Sequence, residues 1–213
     1  MITYNTKEME RILRDAIKDD PNAQKRIENL AYGNLTRTFN MNKRKMLGDF
    51  QNHSVTQEID AGENAQNITR TLHGVKNANL FSFIGFYQGS TPTADVFDKL
   101  NDETQLIPHA ISRNMVGNLL KLVFRYKVPD LNGFDKDTRF KYPDNWQGGS
   151  WIRGLEEGID GLAYYMRGVW VAFSRSTVAV QTHGAPLPGR TIDVSKPIKY
   201  VTEIVNKFIA RMS

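Results

Sequence analysis

Between Leu120 and Val128 the chain alternates: Leu120, Leu122, Phe124, Tyr126 and Val128 fall on one side, and Lys121, Val123, Arg125 and Lys127 on the other. A period of two belongs to a strand, because successive side chains leave a pleated backbone on opposite faces. Residues 116–128 therefore predict a strand in a half-exposed sheet whose outer face is basic. Residues 79–87 supply a second strand candidate, with Leu80, Phe81, Phe83, Ile84, Phe86 and Tyr87 too continuously apolar to leave one face in water. Residues 67–72 read as its hairpin partner through a link at 73–77, and residues 169–182 read as a further strand carrying Ser174, Arg175 and Ser176.

Helical spacing brackets these strands. Met9, Ile12, Leu13, Ala16 and Ile17 form one stripe, and Asp20-Pro21 interrupts it. A second stripe holds Ala23, Ile27, Leu30 and Ala31, weakens at Tyr32 to Asn34, and resumes through Leu35 and Phe39. Short helices are expected after Ser54 and after Thr93. At the far end Ile198, Val201, Ile204, Val205, Phe208, Ile209 and Met212 line one face, so a final helix capped by Ser195 is expected to pack on the sheet.

Two stretches fit neither pattern cleanly. Ser150 caps an expected helix with Trp151, Leu155, Ile159, Leu162 and Met166 on one face, yet Gly154, Gly158 and Gly161 interrupt it. Each interior glycine costs about 1 kcal/mol relative to alanine, and close approach of another backbone, from the same subunit or a neighbouring copy, is the simplest compensation. Residues 129–149 hold Gly133, Pro143, Phe134, Phe140, Tyr142 and Trp146 without periodicity, which predicts a long interaction loop.

With 28 Lys and Arg against 23 Asp and Glu over 213 residues, the formal charge of +5 permits an acidic or nucleic-acid partner without requiring one. Arg37, Lys43, Arg44 and Lys45 lie in a run lacking acids, readable as a solvated face or as a contact for DNA or an acidic partner. The absence of cysteine excludes disulfides and thiolate chemistry. Neither a secretory leader nor a membrane span is expected, and the length suits one domain, 1–213: an N-terminal helical segment at about 5–46, a sheet-and-helix core at about 47–213, and the loop at about 129–149.

Catalytic patterns are not found. No phosphate-cradling glycine loop or dinucleotide fingerprint occurs, and His53, His73, His109 and His183 lack the spacing of a helical metal pair. Glu156, Glu157 and Asp160 offer carboxylates to a hydrolase, but a solvated helix face is the plainer reading. No cofactor and no catalytic residue is expected.

Four segments carry a resemblance: residues 50–59 (FQNHSVTQEI), 79–86 (NLFSFIGF), 173–181 (FSRSTVAVQ) and 199–208 (KYVTEIVNKF). Together they resemble the neck and tail-completion proteins of tailed bacteriophages, the head–tail connector and tail-terminator subunits that form rings. The resemblance implies an α+β subunit: a mostly antiparallel β-sheet packed by N-terminal and C-terminal helices, with long interaction loops. It also implies a homo-oligomeric virion protein, made in the host cytoplasm, that docks on neighbouring neck, portal-adaptor or tail proteins and has no turnover. Gly154, Gly158, Gly161, Arg175, Trp146 and Phe140 are then the expected subunit contacts, and Arg37, Lys43, Arg44 and Lys45 the expected contact with packaged DNA or an acidic ring. The alternative is a basic nucleic-acid-binding protein using that run and the basic face of residues 116–128.

Overall fold

The computed structural model describes residues 20–71, 79–107, 112–116, 119–143, 149–158, 166–167, 180–181 and 197–213. Its longest element is α1, Pro21–Gln51. Asp20 caps it by accepting the Asn22 amide at 2.8 Å, and Pro21 stands at the first helical position, where a missing N–H costs nothing. The helix runs through Tyr32 to Asn34 without a break. Phe39, Asn42, Met46 and Phe50 form its buried face, at the spacing of three and four residues that one side of a helix requires.

That face receives α7, Val201–Met212, rather than a sheet. The Phe208 ring meets Phe39 edge-on at 5.6 Å, the Asn42 side-chain amide donates to the Arg211 carbonyl at 3.1 Å, and Arg211 pairs with Asp49 at 2.7 Å. The remaining helices pack around this pair: α2 (Ser54–Asp60), α3 (Leu80–Ile84), α4 (Pro92–Glu103), α5 (Leu131–Lys136) and α6 (Trp151–Glu157). One hydrophobic cluster connects them, with Phe50, Phe81, Phe134, Trp151, Tyr200 and Phe208 among its largest fully buried members.

The expected α+β architecture, a mostly antiparallel sheet packed by terminal helices, is overturned. Helix dominates the described residues, and strands occur among them as three separate antiparallel pairs: β1 (Gln105–Leu106) with β4 (Tyr126–Lys127), β2 (Ser112–Val116) with β3 (Leu119–Val123), and β5 (Met166–Arg167) with β6 (Val180–Gln181). Residues 79–87 are not a strand. An apolar run this short is equally compatible with a helix buried on all sides, and the capping chemistry decides it. Asn79 accepts the Ser82 amide at 2.9 Å, and Gly85 closes the helix in the left-handed region at φ 88°. The expected hairpin partner at 67–72 is a turn in its described part, with Arg70 at φ 57°.

The alternating segment is real but divided. It breaks at Phe124 and Arg125, so β3 pairs with β2 in the register Met115↔Leu120 and Arg113↔Leu122, while β4 pairs with β1. The expected loop at 129–149 is not open in its described first part: α5 and a 3-10 turn, Thr138–Phe140, lie within residues 129–143. Phe134 and Phe140 meet edge to face at 4.9 Å, and the Lys99 ammonium lies 5.5 and 5.9 Å from their centroids while pairing with Glu103 and Asp137. The final strand expected at 169–182 and the helix at 5–19 lie largely or wholly outside the described residues.

Candidate assembly interface

Buried ionisable side chains show first how this fold uses its polar groups. Glu58, on α2, is completely buried, with Oε1 accepting the Leu80 amide at 2.8 Å and Oε2 the Thr69 amide at 2.7 Å. Leu80 is the first residue of α3, so this carboxylate satisfies an otherwise orphaned donor at a helix start, where negative charge also meets the helix dipole favourably. Glu156 repeats the arrangement: from the last turn of α6 it accepts the Thr202 amide at 2.7 Å in the first turn of α7. Its second oxygen is buried without a hydrogen-bond partner among the described residues. The expectation that Glu156 lies on a solvated face is therefore corrected; it is a cap supplied from another helix.

His53 caps α2 by accepting the Val55 amide at Nδ1, 3.2 Å away, which requires that nitrogen to be unprotonated. Its ring lies 5.0 Å from that of Tyr200, whose hydroxyl meets Thr56 at 2.7 Å. Burial lowers the His53 pKa below 6.5, aided by Lys207 and opposed by Glu203 and Glu156. Burial likewise pushes the Tyr200 and Tyr142 phenols well above the usual tyrosine range. Asp135 accepts the Ser150 hydroxyl at 2.8 Å and the Arg153 guanidinium, while Ser150 accepts the Arg153 amide at 3.1 Å and so caps α6 as expected. Hydrogen bonds from Arg139 hold the Asp137 carboxyl well below the ordinary carboxylate range.

These groups are occupied in holding helix starts and clamping α5 to α6 and α4 to its neighbours. Among the described residues no three His, Cys, Asp or Glu side chains form a metal-binding cluster, and no helix is long and apolar enough to cross a membrane. Of the histidines, His73, His109 and His183 lie outside the described residues.

The expected subunit contacts separate into three groups. Gly161, Arg175 and Trp146 lie outside the described residues. Phe140 is completely buried within the subunit, so it is corrected from contact residue to core residue. Gly154 sits inside α6, but Gly158 ends that helix at φ 89° and ψ 142°, a backbone conformation that L residues rarely adopt. Its glycine is explained by a helix terminus rather than by a helix interior needing close approach.

Arg37, Lys43, Arg44 and Lys45 all lie on α1. Arg37, Arg44 and Lys45 are exposed and Lys43 half-buried, and none has an ion pair with another described residue. Two apolar neighbours were not singled out as a surface by the sequence pattern: Leu30 and Met41, both on α1, are exposed. Leu30 belongs to an apparent apolar stripe with Ala23 and Ile27, and only the direction of α7 packing reveals that it points away from the core. No protein-family model, curated protein or solved structure matches the chain.

Proposed function

We propose that this chain is a structural subunit of a tailed-bacteriophage particle, assembling with copies of itself into a ring at the head–tail junction or tail terminus and docking there on neighbouring neck, portal-adaptor or tail proteins. The β2–β3 ribbon carries this reading. Among the described residues it pairs only within itself, leaving both outer edges without backbone partners. A two-stranded ribbon is marginal alone, and unpaired edges are templates for a strand from another chain. A subunit completed by its neighbours has that form. The four resembling segments give the particle context, and on this reading the protein acts by assembly without turnover.

Mass measurement of the purified chain across concentration, together with its location and copy number in a particle reconstruction, tests the proposal. A closed oligomer and a fixed copy number around the particle axis are expected. A monomer at every concentration, absent from purified particles, would sink it. The acid-free basic run on α1 favours one second reading, nucleic-acid binding, whose mark is affinity for DNA that falls steeply as salt rises.

A further inference from the structure

The outward face of α1 carries more than charge. At about 100° per residue, Arg26, Arg37 and Arg44 fall within about 20° of one another, on the side of α1 opposite Phe39 and Met46. Leu30, 70% exposed, and Met41, 48% exposed, sit on the same face between the arginines. So does Gly33, whose added Cβ would meet nothing within 4 Å among the described residues. A glycine in an exposed helix interior costs about 1 kcal/mol relative to alanine, and no contact among the described residues compensates it.

The same chain carries a complementary row. On α4, Asp98 and Asp102 lie two residues after buried Val96 and Leu100 and face away from the core, while Asp95 is half-buried at the edge of the same face, one turn before buried Lys99. Asp98 and Asp102 are exposed and have no ion pair among the described residues; Asp95 has a loose one, 3.9 Å from Arg139. Asp95 and Asp102 are seven residues apart, as are Arg37 and Arg44. At 1.5 Å rise per residue each of these two pairs spans about 10.5 Å, while Arg26 lies about 16.5 Å before Arg37 and Asp98 falls between the outer aspartates.

We infer that α1 of one copy docks by this arginine face on the aspartate row of α4 of the next copy, with Gly33 admitting the partner closely and Leu30 and Met41 supplying apolar contact. This rests on the ring reading above and names its interface. Two different patches meeting head to tail make a heterologous contact, the kind that closes rings. Arginine and methionine are enriched at protein interfaces, whereas a face built for phosphates has no use for Leu30 and Met41 between its cations. The acidic row on the same chain, with Asp95 and Asp102 at the separation of Arg37 and Arg44, makes a second copy the favoured occupant over DNA.

Charge exchange tests it in the full chain. R37E/R44E and D95K/D98K/D102K, each alone, are expected to weaken self-association at least tenfold in mass photometry without altering the circular dichroism spectrum of the monomer. The chain carrying all five changes is expected to regain association. G33Q is expected to raise monomer stability while weakening association. If wild type assembles and neither charge reversal affects it, or if the five-fold exchange rescues nothing, this interface is wrong while the ring reading stands. If wild type never associates and is absent from particles, both fall. If R37E/R44E abolishes salt-dependent DNA binding and the aspartate variant leaves assembly intact, the occupant of the α1 face is nucleic acid.

Discussion

At the residue scale the polar groups most consequential for stability are those least visible in the sequence. Glu58 sits between Gln57 and Ile59 in a short amphipathic pattern where a charged residue reads as solvent-facing, yet it is buried with both oxygens accepting amides. Hydrogen bonds to charged groups contribute about 1.5–3 kcal/mol each, and leaving a donor unmet costs about 1–3 kcal/mol. Glu58→Ala is therefore expected to destabilise the fold by about 3 kcal/mol or more, read as a lower urea midpoint at unchanged slope. His53 gives a pH signature. Its folded pKa is depressed, so the unfolded chain takes up the proton first, as pH falls through 6.5. Stability present above that pH is lost progressively down to the depressed folded value. His53→Asn keeps a capping side chain that does not titrate there, and its melting temperature should fall less between pH 7 and pH 5 than that of wild type. Equal falls in the two proteins would remove His53 from the account.

At the element scale, helix termini rather than periodicity decided what the chain became. The period-two signal at 116–128 was legible and gave genuine strands, but nothing in it revealed that Phe124 and Arg125 would divide it between two partners. The run at 79–87 was legible as buried and illegible as helix, because apolar residues throughout such a short segment erase both periods. Asn79 and Gly85 were the available signal, a capping residue and a left-handed terminator at the spacing of a short helix. The C-terminal stripe was legible as a helix, but the helix begins at Val201 with Tyr200 before it, so Ile198 precedes it and the cap expected from Ser195, outside the described residues, is not its start. Its packing partner was not legible: the α1 face that receives it includes Asn42, a polar residue whose amide meets Arg211. Gly158 belongs to this scale as well. Occupying φ 89°, it cannot accept a side chain without strain of about 1–3 kcal/mol. Gly158→Ala should thus lower the urea midpoint of the isolated subunit before any question of assembly arises. An unchanged midpoint with impaired assembly would return Gly158 to the list of contact residues.

For the whole molecule, one hydrophobic cluster running from Phe39 to Phe208 joins the longest helix to the last one through the short helices between them. The Phe208 ring is completely buried, edge-on to Phe39 and to Tyr126, so the final helix also secures the β1–β4 pair that Tyr126 belongs to. Truncating a buried phenylalanine costs about 3–5 kcal/mol, a large fraction of the stability of an ordinary domain. Phe208→Ala is expected to lower the urea midpoints of helical circular dichroism and of tryptophan fluorescence together, because Trp151 in α6 shares the cluster through its contact with Tyr200. Separate shifts, with fluorescence unmoved, would mean that α5 and α6 form a unit independent of the α1–α7 pair. That outcome bears on assembly as well: Lys99 ties α4 to Asp137, just after α5, so the proposed contact between α1 of one copy and α4 of another can transmit load around a ring only if the α5 region belongs to the same cooperative body as α1.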